Sequence, residues 1–214
     1  MVGVPLARRT KRRAHRVPGK VSAVLEYARL GWASAMGAHP LAEGGRACSC
    51  DRVGCPDPGT HPLSPAWQMQ ATTDSAQLTR WWQQEPEANV ILPTGRVFDV
   101  FDVPATAGIP ALAAMDSAGF ETGPVAENGD RALFFVATRG APEDEDEWWS
   151  CHLDAGPETI AETPGLRWHC RDSYVLAPPS TLREGVVASW IRPPDGRPLP
   201  DPLRVLDLLA DYCE

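Results

Sequence analysis

Residues 97–104, Val-Phe-Asp-Val-Phe-Asp-Val-Pro, constrain this chain more than any other stretch. They read as an apolar strand that carries two acids and ends in a proline. Side chains alternate between the faces of a strand. Asp99 therefore shares a face with Val97, Phe101 and Val103, while Asp102 shares the other with Phe98, Val100 and Pro104. Two carboxylates on one face need acid-x-acid spacing, and the position two after Asp102 is Pro104, which offers no ligand. A pair of divalent ions about 4 Å apart needs several carboxylates converging on one side. This strand supplies one.

Length sets the frame: 214 residues hold one sizeable core, or a core with a small metal-stapled insertion. An apolar content of 43% with eight tryptophans argues for a folded chain. No run of 18 apolar residues exists, so no membrane span is expected. The N-terminus lacks the apolar stretch of a secretory signal, and a cytoplasmic location is expected. The net charge of −8 hides an asymmetry. Residues 1–20 hold seven Lys or Arg and no acid, leaving 13 basic against 28 acidic residues in 21–214, a charge of −15. The chain is thus read as a basic, disordered arm (1–20) on a single acidic domain (21–214). Such an arm suits phosphate contacts or serves as a solubilising leader. Glu143 to Glu147 read as a solvated loop or helix start.

Along the chain, Val21, Val24, Leu25 and Ala28 form a helical stripe stopped by Gly31. Asp74-Ser-Ala-Gln77 resembles a capping box that opens a helix with Leu78, Trp81 and Trp82 inward, ended by Pro86. Asn89 to Pro93 is a short strand, and Thr94-Gly95 turns it toward 97–103 as a hairpin or a tight connection. Residues 109–118 form an alanine-rich helix. Arg131 to Ala137, Ser173 to Ala177 and Val187 to Ile191 are further strands, and Leu203 to Tyr212 is a closing helix. The irregular interleaving predicts an α+β fold, a mixed sheet with flanking helices.

Cys48-x-Cys50-x4-Cys55-x5-His61 is the sharpest chemical signal, with four soft or borderline ligands in 14 residues. Gly54, Pro56, Pro58 and Gly59 bend the backbone between them. Six cysteines in a cytosolic chain favour metal ligation over disulfides. Four protein ligands close the coordination sphere, so a structural zinc is expected, worth on the order of 10 kcal/mol of folding energy. His39 is an alternative to His61. Cys151, Cys170 and Cys213 read as isolated thiols.

Several segments, in order, resemble one family: the N-terminal domain of bifunctional DNA primase/polymerases, within the archaeo-eukaryotic primase superfamily. They are Ala28-Arg-Leu-Gly-Trp32, the knuckle ending in His61-Pro62, Trp67 with Ala71-Thr-Thr-Asp74, and Trp81-Trp82 through Pro86-Glu-Ala-Asn-Val90. Thr94-Gly95, the 97–104 strand, Asn128-Gly-Asp-Arg-Ala-Leu-Phe-Phe135 and Ser173-Tyr-Val-Leu-Ala-Pro-Pro-Ser180 complete the series, over roughly residues 21–195. The resemblance implies a sheet of archaeo-eukaryotic primase type and a DNA or nucleotide partner. It places an acid-x-acid pair at Asp102-Val-Pro104, where one vestigial catalytic carboxylate remains. It places a triphosphate-contacting histidine at Ala132 and a third acid near Arg167. An arginine there opposes a cation, so catalytic Mg²⁺ or Mn²⁺ is doubtful.

The reading is therefore a catalytically degenerate member that binds nucleotide, single-stranded DNA or a protein partner. Arg131, Arg167, His169 and Arg171 are the expected ligand-binding residues, with Trp168 either stacking on bases or packed in the core. Two alternatives stand. One is an active primase-polymerase using displaced carboxylates among Asp99, Glu127, Asp130 and Asp172. The other is a zinc-stapled protein-interaction adaptor whose acidic body binds a basic partner, a reading that a structure with no central sheet beneath the 97–103 strand would favour.

Overall fold

The computed structural model describes residues 19–41, 47–50, 52–138 and 165–213. The basic arm up to residue 18, the acidic run 143–147 and Cys151 lie outside the described residues.

Helix α1 (Lys20–Arg29) buries Ala23, Val24 and Tyr27. Its end follows from Gly31, which takes φ +76°. The Gly31 amide donates to the Ala28 carbonyl at 3.0 Å and the Trp32 amide to the Tyr27 carbonyl at 2.9 Å, so the last carbonyls stay satisfied. Strand β1 (Ala35–Gly37) and a single turn, α2 (Trp67–Gln70), flank the cysteine-rich segment. Helix α3 (Ser75–Gln84) starts where Asp74 accepts the Gln77 amide at 2.8 Å. Leu78 and Trp82 are buried and Trp81 is half-buried against the same cluster.

Strands β2 (Asn89–Pro93), β3 (Phe98–Pro104), β4 (Val125–Asn128), β5 (Arg131–Ala137), β6 (Arg167–His169), β7 (Tyr174–Ala177) and β8 (Ser189–Arg192) follow, with α4 (Ala105–Ser117) after β3 and α5 (Pro202–Ala210) last. They build two sheets, β1-β2-β7 and β6-β3-β5-β4-β8. Every pairing in both is antiparallel. The expected mixed sheet is thereby corrected. Helix α4 does carry the chain from β3 toward β4, but the tight β4–β5 hairpin lays β5 between those strands. The parallel neighbours a crossover helix suggests are thus kept apart. Of the two readings of 89–103, hairpin or tight connection, the tight connection is the one found. β2 pairs with β1 and β7, so Thr94-Gly95 is a tight connection between sheets.

Helix α4 begins at Ala105, earlier than the 109–118 expected, despite Gly108 and Pro110 in its first turns. Buried Gly108, Ala111, Leu112 and Met115 form an unbroken stripe, and packing of that stripe outweighs weak local propensity.

β3 lies in the interior of the larger sheet with both faces covered. Phe98 and Val100 pack with Leu133, Phe135, Tyr27, Trp32, Leu78 and Trp82. Phe101 and Val103 pack on the other side with Phe134, Val136, Trp168 and residues of α4 and α5. Trp32 stacks on Phe135 with centroids 5.3 Å apart and rings 1° from parallel. No described helix is long and apolar enough to cross a membrane.

Candidate functional site

β3 is regular from Phe98 to Pro104, paired residue for residue with β5, so no bulge reorients its acids. Asp99 and Asp102 therefore stay on opposite faces. Asp99 is buried on the helix-covered side, where Trp168 Nε1 donates to it at 3.3 Å. Asp102 looks into a cleft of about 600 Å³ on the opposite side. Its same-face neighbours, Val100 and Pro104, carry no ligand atom.

Register decides what surrounds Asp102. It pairs across β3–β5 with Leu133 and across β3–β6 with Arg167, so β5 contributes Arg131 to this face and β6 contributes Arg167 and His169. Arg131 Nε donates to Asp102 Oδ1 at 2.6 Å. The same guanidinium donates through Nη2 to the Asp102 and Gly165 carbonyls at 2.8 and 3.0 Å. Arg167 Nη1 and His169 Nε2 stand 3.7 and 3.4 Å from Asp102 Oδ2. His169 Nδ1 pairs with Ser173 Oγ at 2.9 Å. Burial pushes the Asp102 carboxyl up, but the His169 hydrogen bond and charge, with the Arg131 charge and hydrogen bond, hold it below the usual carboxylate range. This carboxylate is engaged from three sides.

Ala132, assigned by resemblance to a triphosphate-contacting histidine, faces α4 in the apolar cluster; Arg131 is the residue that faces the cleft. Trp168 is 2% exposed and packs against Phe101 with centroids 5.3 Å apart, so it is not a stacking platform. Arg171 departs from the expected cation cluster. β6 ends at His169, and Arg171 sits on the following turn, half exposed and 3.7 Å from Asp172. Of the candidate displaced acids, Asp130 and Asp172 border the cleft. Glu127 pairs with Ala132 and shares its helix-covered face. The one described group of three or more His, Cys, Asp or Glu side chains with converging ligand atoms lies elsewhere, in the knuckle.

There the ligand atoms of Cys48, Cys50, Cys55 and His61 all lie within 4.8 Å of one another. Cys48 Sγ and Cys55 Sγ are 3.5 and 3.3 Å from His61 Nε2. His61 Nδ1 donates to the Pro62 carbonyl at 2.8 Å, which turns the Nε2 lone pair toward the sulfurs. Burial raises the Cys50 thiol, but the Arg52 amide and contacts with Cys48, Cys55 and His61 outweigh it and bring it to about 7. Burial and the neighbouring thiols push Cys55 up to about 11. The donor set and its convergence fit a metal ion. His39 is not in the group; its amide donates to Ser49 Oγ at 2.9 Å.

The knuckle is also a wall of the cleft, through Asp57 and Thr60. Asn89 fastens it in place. This fully buried amide donates to the Gly59 and Thr181 carbonyls at 2.9 and 2.7 Å and accepts the Thr181 amide at 2.7 Å. Nothing in the local sequence marks Asn89 for that role. The pairing of Trp67 with Tyr174, edge to face at 5.2 Å on the cleft rim, was equally hidden, because the rings come from distant segments.

Two antiparallel sheets, helices on the larger one, a buried acid facing a cleft and a cysteine knuckle beside it define a mixed helix-and-sheet domain with one candidate binding cleft. The family described as "Bifunctional DNA primase/polymerase, N-terminal" matches residues 24–202, and the chain belongs to it. Among solved structures it is similar to "Cyanophage S-2L Primase-Polymerase (PrimPol), AEP domain (PP-N190)", at 17% identity, covering 90% of this chain and 100% of that one with a TM-score of 0.37. No curated protein matches the chain.

Proposed function

We propose that this domain keeps the primase-polymerase scaffold as a binding module for nucleotide or single-stranded DNA and no longer joins nucleotides. The carrying observation is the state of Asp102. In-line displacement by two metals requires carboxylates free to bridge both ions. Here the one carboxylate on the cleft face of β3 is flanked by Val100 and Pro104 and held by Arg131, Arg167 and His169. A cation entering that spot meets two guanidiniums, the side-chain type that suits a phosphate better than a metal ion. Asp130 and Asp172 border the same cleft, but neither stands on β3 beside Asp102.

The knuckle is read as a structural zinc site, with all four positions filled by protein and no place for substrate. Elemental analysis of purified protein is expected to give one zinc per chain, lost in Cys48→Ser. Retention of full zinc content in that variant removes Cys48 from the site.

Primer extension with Mg²⁺ and with Mn²⁺ tests the main reading, paired with calorimetric titration of dATP and of a short oligonucleotide at two salt concentrations. The expected result is salt-dependent binding without synthesis. Metal-dependent extension that disappears in Asp102→Ala overturns the loss of catalysis.

A further inference from the structure

Beside the cleft lies a second, smaller hollow of about 240 Å³, and its construction is specific. The turn after β2 and the turn after β6 are riveted together. Thr94 donates its amide to the Ser173 carbonyl at 3.0 Å and its hydroxyl to the Cys170 carbonyl at 2.5 Å. Gly95, at φ +78°, lets the two backbones touch, since a Cβ there would stand 2.2 Å from Arg171 Cα. This contact brings Arg96 and Arg171, both exposed, into the lining of one hollow.

The lining holds two arginines and one acid, Asp172. That acid is 71% exposed, 3.7 Å from Arg171, and also receives Gln68 Nε2 at 3.3 Å. An exposed pair at that distance is worth little. Among the described residues Arg96 has no ion-pair partner. The hollow therefore carries excess positive charge on an otherwise acidic protein. Its wall includes Trp67, whose ring meets Tyr174 of the main cleft at 5.2 Å. Asp172 and Ser173 line both spaces, so the two are immediate neighbours.

We infer that this groove is a separate subsite for the phosphodiester backbone of a single DNA strand whose neighbouring nucleotide enters the main cleft across the Trp67–Tyr174 pair. The inference rests on the binding function proposed above and assigns Arg171, with Arg96, to strand contact outside the Asp102 cluster. Single strands are held by this combination of phosphate-directed cations and aromatic faces.

The test uses the full chain, a fluorescein-labelled 15-nucleotide oligo-dT read by anisotropy, and dATP read by calorimetry. Arg96→Ala/Arg171→Ala alters exposed side chains, and its thermal melt verifies folding. The expected result is roughly a tenfold or greater loss of oligonucleotide affinity. The slope of log K against log salt should fall by about 1.4, two contacts at about 0.7 each. dATP binding should stay unchanged, and Arg96→Lys/Arg171→Lys should recover most of the affinity. Wild-type oligonucleotide affinity in the alanine variant overturns the groove alone. Equal weakening of dATP and oligonucleotide also overturns it, by making the groove part of a triphosphate site. Failure of the wild-type protein to bind oligonucleotide at low salt defeats the binding function itself, and the groove with it.

Discussion

Arg167 lies directly across the β3–β6 ladder from Asp102, its Nη1 3.7 Å from the carboxylate. In a two-metal site the partner at such a position must be another oxygen ligand, since only anionic or neutral donors can gather round divalent ions. A guanidinium there reverses the local field. The cleft face of β3 has its single carboxylate held by cations from the protein.

Removing that carboxylate leaves two arginines facing each other at a largely buried site. Asp102→Ala is expected to lower the unfolding free energy by on the order of 3 kcal/mol, the penalty for orphaning a buried partner. Urea denaturation at neutral pH measures it. A change below about 0.5 kcal/mol would show that the network carries no net stability.

The same network sets a pH dependence with a definite sign. The folded-state pKa of Asp102 lies below its unfolded value, so its contribution is present above the ordinary carboxylate range and is lost as pH falls through the lowered folded pKa. Denaturation of wild type and Asp102→Asn across pH 2–7 should show their stability difference shrinking toward the acid end. A constant difference would mean the charge on Asp102 is irrelevant to folding.

Asn89 joins the knuckle to the sheet and is fully buried. Asn89→Ala leaves the Gly59 carbonyl and the Thr181 amide and carbonyl short of partners, at a cost of about 2–4 kcal/mol. Chelation of metal from the wild-type protein is expected to lower the melting temperature and loosen hydrogen-exchange protection at residues 181–186. In Asn89→Ala that response should be confined to the knuckle, because its tie to the cleft wall is gone.

Gly95→Ala tests the contact between the two turns. The new Cβ meets backbone atoms of Arg171, which cannot swing aside as a side-chain end would. Adding the left-handed conformation, a loss of at least about 2 kcal/mol is expected. Gly119→Ala serves as the control, for it shares the left-handed φ but has open space around it. Equal losses in the two variants would assign the effect to conformation alone.

Much of the scaffold was legible because its causes are local. The Asp74 cap, the Gly31 stop, the span of β5 and the opposite facing of Asp99 and Asp102 each depend on residues within a few positions. So does the knuckle, where four ligands within one short segment have few ways to converge. Other readings failed for a matching reason. The hairpin alternative for β2 and β3 was locally plausible, but β2 is buried throughout and takes its partners from β1 and β7. The early start of α4 was concealed by Gly108 and Pro110, whose poor propensity yields to packing.

By itself the sequence determined that one strand carries one acid on each face, and that a cysteine cluster sits beside a domain with primase-polymerase landmarks. Alternation and ligand spacing are short-range properties of the chain. Only the tertiary structure decided that Arg131, Arg167 and His169 converge on Asp102 while Arg171 turns away to join Arg96. Those neighbours come from separate strands, and their meeting is set by ladder register and by where β6 ends. No local pattern encodes either.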